Sequence, residues 1–177
     1  DATGATRGGV VLIGGDWQGG GTMRQANRLN MSADSLIDAS ATDNGDGGKV
    51  VIWSDVNNAS TVTTVHGSIY ARAGANGGNG GLVETSGYTL NVDHVYVNAG
   101  SSKGVGGLWL LDPADASVTQ LIADSYEATL NTGTSVTNAV AGSISWASGV
   151  NLNKTSGGDA TLTMKATVNS NHSIILT

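Results

Sequence analysis

Side chains able to do chemistry are few in this chain, and they lie far apart. The densest oxygen cluster is Asp43-Asn44-Gly45-Asp46-Gly47-Gly48. Oxygen-rich glycine turns can hold Ca²⁺, but this one lacks a tandem Gly-Gly-x-Gly-x-Asp repeat, and no bidentate glutamate follows it. Asp, Asn and Gly are also the default turn formers. The segment therefore reads as a plain turn, and no metal is assigned. His66, His94 and His172 are the only histidines and never come close in sequence. His94 alternates with apolar neighbours, which turns it outward and makes it a surface residue. Asp16, Asp55, Asp93 and Asp112 are scattered near strand ends, and Glu84 and Glu127 are the only glutamates. Polysaccharide-cleaving chemistry needs carboxylates clustered on one face, and no Gly-x-Ser-x-Gly elbow is present. No catalytic residue and no cofactor is assigned.

Aromatic residues are the better candidates for contact. Tyr70 and Tyr96 stand at outward positions beside inward Ile69, Ala71, Val95 and Val97. On such a flank an aromatic ring can stack on a sugar or meet a protein partner. Trp53 and Trp109 read instead as covers for corners or as packing under a helix.

The elements that must carry these residues recur. Ala39, Ala71 and Ala99 each end an apolar strand. A glycine-rich turn and a Gly-Gly pair follow each time (Gly47-Gly48, Gly80-Gly81, Gly106-Gly107), and then a second apolar strand. A β-rich unit recurring at about 30 residues is the signature of a solenoid. Alternation is strict in the strands: Val95, Val97 and Ala99 face one way, as do Leu162, Met164, Ala166 and Val168. Each strand therefore has one buried and one wet face. Each unit holds about three strands, for example 36–39, 49–53 and 60–65. Three strands and three corners make one coil of a parallel β-helix, and about six coils stacked at ~4.8 Å would rise on the order of 30 Å. The sequence thus predicts an all-β, right-handed parallel β-helix. Asn44-Gly45, Asn76-Gly77 and Asn79-Gly80 read as its corners rather than as hairpin turns.

One segment breaks the pattern. Val118, Leu121, Ile122, Tyr126 and Leu130 fall at helical spacing, Gly133 stands where a helix would stop, and Pro113 closes the preceding strand. A short helix is expected over 118–131. The organisation is then coils over 1–113, a helical insertion or plug over 114–133, and further coils over 134–177, all in one continuous solenoid.

Composition narrows the function classes. There are 27 glycines, one proline, no Phe and no Cys, and the net charge is −6. Arg7, Arg24, Arg28 and Arg72 are scattered, so nothing is arranged to neutralise phosphates and nucleic acid is not a partner. No apolar run approaches the ~20 residues of a membrane-spanning helix. The chain opens at Asp1-Ala2-Thr3-Gly4 without a leader and reads as a piece of something longer.

A series of phrases in fixed order carries a resemblance. They are Ile13-Gly14-Gly15-Asp16-Trp17-Gln18-Gly19, Ile37-Asp38-Ala39-Ser40, Gly47-Gly48-Lys49-Val50-Val51-Ile52-Trp53-Ser54-Asp55, and Gly80-Gly81-Leu82-Val83-Glu84-Thr85-Ser86-Gly87. Trp109-Leu110-Leu111-Asp112-Pro113 and Lys154-Thr155-Ser156-Gly157-Gly158-Asp159-Ala160-Thr161-Leu162-Thr163 follow. Together they resemble the passenger of a filamentous-haemagglutinin-type exoprotein of the two-partner secretion class, in the region after the secretion domain. The Asn-Pro-Asn motifs of that domain are absent. The resemblance implies a right-handed parallel β-helix exported through an outer-membrane secretion pore. It also implies a protein secreted or held at the bacterial outer surface, working as an adhesin or shaft with a host-cell glycan or protein receptor. Self-association through solenoid ends is a further expectation. Alternatives are a β-helix that binds or degrades polysaccharide, and the stalk of a contact-dependent toxin or of a self-associating filament.

Overall fold

A computed structural model describes residues 1–167 and 174–176. Val168 and His172 lie outside the described residues. In chain order the strands are β1 (Val10–Ile13), β2 (Arg28–Met31), β3 (Leu36–Asp38), β4 (Lys49–Trp53), β5 (Val62–Val65), β6 (Gly67–Tyr70), β7 (Leu82–Gly87) and β8 (Thr89–Asn91). Then come β9 (Val95–Asn98), β10 (Leu108–Pro113), β11 (Ala116–Val118), helix α1 (Gln120–Leu130), β12 (Ser135–Val140), β13 (Ile144–Trp146), β14 (Leu162–Ala166) and β15 (Ile174–Leu176).

The strands form parallel sheets. A six-stranded sheet has the order β1-β4-β7-β10-β12-β14, and three smaller ones are β2-β5-β8, β3-β6-β9 and β11-β13-β15. From β1 to β9 the chain passes through three sheets in rotation, so every third strand pairs in register with its predecessor. Asn44-Gly45 and Asn79-Gly80 lie in connections between the sheets, whereas Asn76-Gly77 sits in a tight turn closed by an isolated antiparallel bridge between Gly74 and Gly77; no named strand pair is antiparallel among the described residues.

Register makes ladders of like side chains. Val11, Val50, Val83, Trp109, Val136 and Leu162 lie side by side across the six-stranded sheet. Ile37, Ile69 and Val97 do the same across β3-β6-β9. These rows point into one core, in which Val50, Val83, Trp109, Val136, Ile69 and Val97 are fully buried.

The marker alanines explain the glycine pairs. The carbonyls of Ala39, Ala71 and Ala99 accept from the N–H of Gly48, Gly81 and Gly107 at 2.8, 2.8 and 2.7 Å. The first glycine of the first two pairs lies against the alanine carbonyl of the following unit, where a Cβ would have no room: Gly47 meets Ala71 O and Gly80 meets Ala99 O, while Gly106 meets Gly133 O. A fourth instance was not read from the sequence. Ala2 O accepts from Gly9 N at 2.8 Å, and Gly8 abuts Ala39 O. Its shorter turn disguised it.

The helix begins later than the periodicity suggests. Val118 belongs to β11, and Thr119 caps α1 by accepting from Ile122 N–H. The helix ends at Leu130, and Gly133 (φ +81°) follows it as expected. Segment 114–133 thus holds a strand as well as the helix. α1 packs on β9, taking the place in the rotation where the next strand of β3-β6-β9 would fall. Its buried face presents Ala123, Tyr126 and Leu130 to the core, and Tyr126 meets Trp109 edge-on at 5.7 Å.

Candidate functional site

Tyr70 and Tyr96 lie on the outer face of β3-β6-β9, both half-buried. Register sets two rows there. Asp38, Tyr70 and Asn98 form one, and Leu36, Ser68 and Tyr96 the other. The two tyrosines are diagonal neighbours, with ring centroids 6.0 Å apart and planes at 76°. Such edge-to-face pairs are favourable by about 0.5–1.5 kcal/mol beyond the area they bury.

Polar groups frame the pair. The Arg72 guanidinium lies 4.7 Å over the Tyr70 ring, and its Nη2 is 3.3 Å from Asp38 Oδ2. Arg72 Nε also donates to Ser40 Oγ at 3.3 Å. The arginine is half-exposed, so the ion pair is worth little to stability, but it helps keep the guanidinium over the ring. Asn98 spends its Oδ1 on Gly100 N–H at 3.0 Å, and Asp38 spends its Oδ1 on Ser40 N–H at 2.9 Å. Beside these residues runs a cleft of about 750 Å³, lined by Asp38, Ser40, Arg72, Asn98, Ser101 and Thr132 among others. An aromatic pair bordered by planar amide, carboxylate and guanidinium groups suits a saccharide, which offers C–H faces to rings and hydroxyls to fork-like partners. Among the described residues Asp38 is the one carboxylate lining the cleft.

Arg72, Asp38 and Asn98 were missed as partners of the tyrosines, although the signal was present. Asp38, Tyr70 and Asn98 each immediately precede a marker alanine, so they had to share one outward row.

The other chemically capable residues are held apart from this face. Asp43 Oδ1 accepts from Asn76 Nδ2 at 2.6 Å, and Asp46 Oδ1 accepts from Asn79 N–H at 2.7 Å. The turn's carboxylates thus tie successive corners together. Among the described residues no group of three or more His, Asp or Glu side chains is placed to hold a metal. His94 is exposed with φ +62°, and His66 Nδ1 faces the Asp93 carbonyl. Trp109 is buried beneath α1, with its Nε1 donating to Thr85 Oγ1 at 2.9 Å. Trp53 is buried on the outer face of the six-stranded sheet, beneath Gly15 and Gly19, and its Nε1 donates to Gln25 Oε1 at 3.0 Å.

Glu84 was not singled out, yet it is the most perturbed carboxyl. It projects from the outer face of β7 but is fully buried, because the turn Trp17–Gly19 folds over it. Gln18, in the left-handed region at φ 52°, donates its N–H to Glu84 Oε2 at 2.8 Å, and Ser86 Oγ donates to Oε1 at 3.0 Å. Burial outweighs both bonds and raises the Glu84 pKa to about 7, with smaller contributions from Asp112 and Asp16. Burial likewise raises Asp112.

No family model matches the chain, and no curated protein matches it. No described helix is long and apolar enough to cross a membrane.

Proposed function

We propose that this chain is a segment of a right-handed parallel β-helix that forms the shaft of a secreted bacterial surface exoprotein of the filamentous-haemagglutinin type. We further propose that the shaft carries an adhesive face for a host-cell glycan. The rotation of the chain through parallel sheets supports the β-helix reading, and the ordered series of Gly-Gly phrases supports the exoprotein reading. The observation that carries the adhesive face is the Tyr70–Tyr96 pair with Arg72 stacked above it, set beside a polar cleft. In this reading the protein does no covalent chemistry. Its stacked ladders give reach and rigidity, and its outer rows give recognition. Export would pass through an outer-membrane pore, with the rod displayed outside the cell.

The test is a glycan array and a host-cell binding assay with the purified chain, alongside a Tyr70→Ala/Tyr96→Ala variant of unchanged circular dichroism. Saturable binding lost in the variant supports an adhesive face. Absence of binding by the well-folded parent chain makes the segment a spacer and overturns it.

A further inference from the structure

A second cavity, of about 310 Å³, opens where the β2-β5-β8 sheet gives way to β11-β13-β15. Ala114 N–H still bonds Tyr88 O at 3.1 Å, but β8 and β11 are not paired, and the gap between them reaches the core. Its walls are mainly apolar, with Leu90, Val92, Leu111 and Val118, while Asp115 and Ser117 add polar groups. Asn138 and Tyr126 also line it. Asn138 is 1% exposed and belongs to the inward row between Leu111 and Met164.

One end of the Asn138 amide is committed, since Nδ2 donates to Tyr126 Oη at 2.8 Å. Its Oδ1 is buried without a hydrogen-bond partner. A buried carbonyl left in that state costs about 1–3 kcal/mol, so such atoms normally face a partner. Tyr126 Oη, having accepted from Asn138, keeps its own proton to give. A single hydroxyl would serve both groups, donating to Oδ1 and accepting from the phenol. The volume exceeds what one water needs and falls at the lower end of small-molecule sites, which begin at about 300 Å³. Among the described residues no cationic side chain lines the cavity, and Asp115 at its wall makes it unfavourable for an anion.

We propose that this cavity binds a small neutral alcohol or phenol, whose apolar body fills the gap between β8 and β11 and whose hydroxyl joins Asn138 and Tyr126. The site lies apart from the tyrosine face and does not depend on the adhesive reading.

The test uses phenol and toluene, which share a ring and differ in the hydroxyl. Each is titrated into the intact ¹⁵N-labelled chain while the Asn138 side-chain amide and the α1 backbone resonances are followed. Phenol is expected to give saturable shifts there and to bind about tenfold more tightly than toluene, the ratio that one net hydrogen bond supplies. Asn138→Leu should remove that preference while toluene still binds. Ala116→Leu, which fills the cavity from β11 without touching Asn138, should abolish both titrations. Equal affinity for the two probes, shifts that never saturate, or phenol binding that survives Ala116→Leu would each overturn the proposal.

Discussion

Gln18 donates its backbone N–H to the Glu84 carboxylate across 2.8 Å, joining positions 66 residues apart. The contact fastens the turn Trp17–Gly19 to the outside of the six-stranded sheet, and it does so with a carboxyl whose pKa is raised to about 7. The folded state therefore holds a proton on Glu84 that the unfolded chain releases near pH 4.5. Stability from this group is fully present below about pH 4.5 and is lost as pH rises through about 7, a loss of about 3 kcal/mol. Thermal unfolding should occur several degrees higher at about pH 5 than at about pH 8. Glu84→Gln should flatten that dependence. An unchanged pH profile in the variant would show that another group is responsible.

The glycine pairs are steric requirements. A Cβ at Gly81 would strike the carbonyl of Gly48, and one at Gly47 the carbonyl of Ala71. Gly81→Val should cost about 2–3 kcal/mol, the scale of overpacking in a close-packed site. Chemical denaturation read by circular dichroism checks this. The same change at Gly158, where a Cβ meets nothing, should be nearly neutral.

Trp109 is the largest investment in the core beneath α1. Trp109→Ala should destabilise by about 3–5 kcal/mol. Trp109→Phe keeps most of the packing but orphans Thr85 Oγ1, and should cost about 1–2 kcal/mol. Chemical denaturation followed by circular dichroism checks both.

The Asp43–Asp46 turn is expected to act through hydrogen bonds. Asp46→Ala removes the acceptor for Asn79 N–H and should lower stability by about 1 kcal/mol. Added calcium should leave the unfolding temperature unchanged. A calcium-dependent rise that Asp46→Ala erases would make this turn a metal site.

Much of the fold was legible because a parallel stack repeats its constraints. Ala39, Ala71 and Ala99 mark one corner, and alternation about them placed Val95, Val97, Tyr70 and Tyr96 on the correct sides. The helix was legible for the opposite reason: Leu121, Ile122, Tyr126 and Leu130 depart from period two. Glu84 was illegible. Alternation turns it outward, and its burial comes from a turn that passes over it from sixty-odd positions earlier, which no local pattern encodes. Asn138 was hidden in the same way: its alternation places it inward, but its orphaned carbonyl follows from the parting of β8 and β11. Arg72 falls between. The offset from the marker alanines gives its row-mates, while its stacking on Tyr70 depends on a side-chain path that spacing does not fix.

The replacement of a β3-β6-β9 strand by α1 has a mechanical consequence. At the level between β9 and α1 two of the three ladders stop, and among the described residues β7–β10 is the one strand pair that crosses it, helped by the single bond from Ala114 N–H to Tyr88 O at 3.1 Å. The six-stranded sheet is the spine of a book, and the parting of β8 from β11 is the place where it falls open. In the rod proposed above, bending load would concentrate at that crease, and stiffness would be set mainly by one pair of strands rather than by the sum of its length.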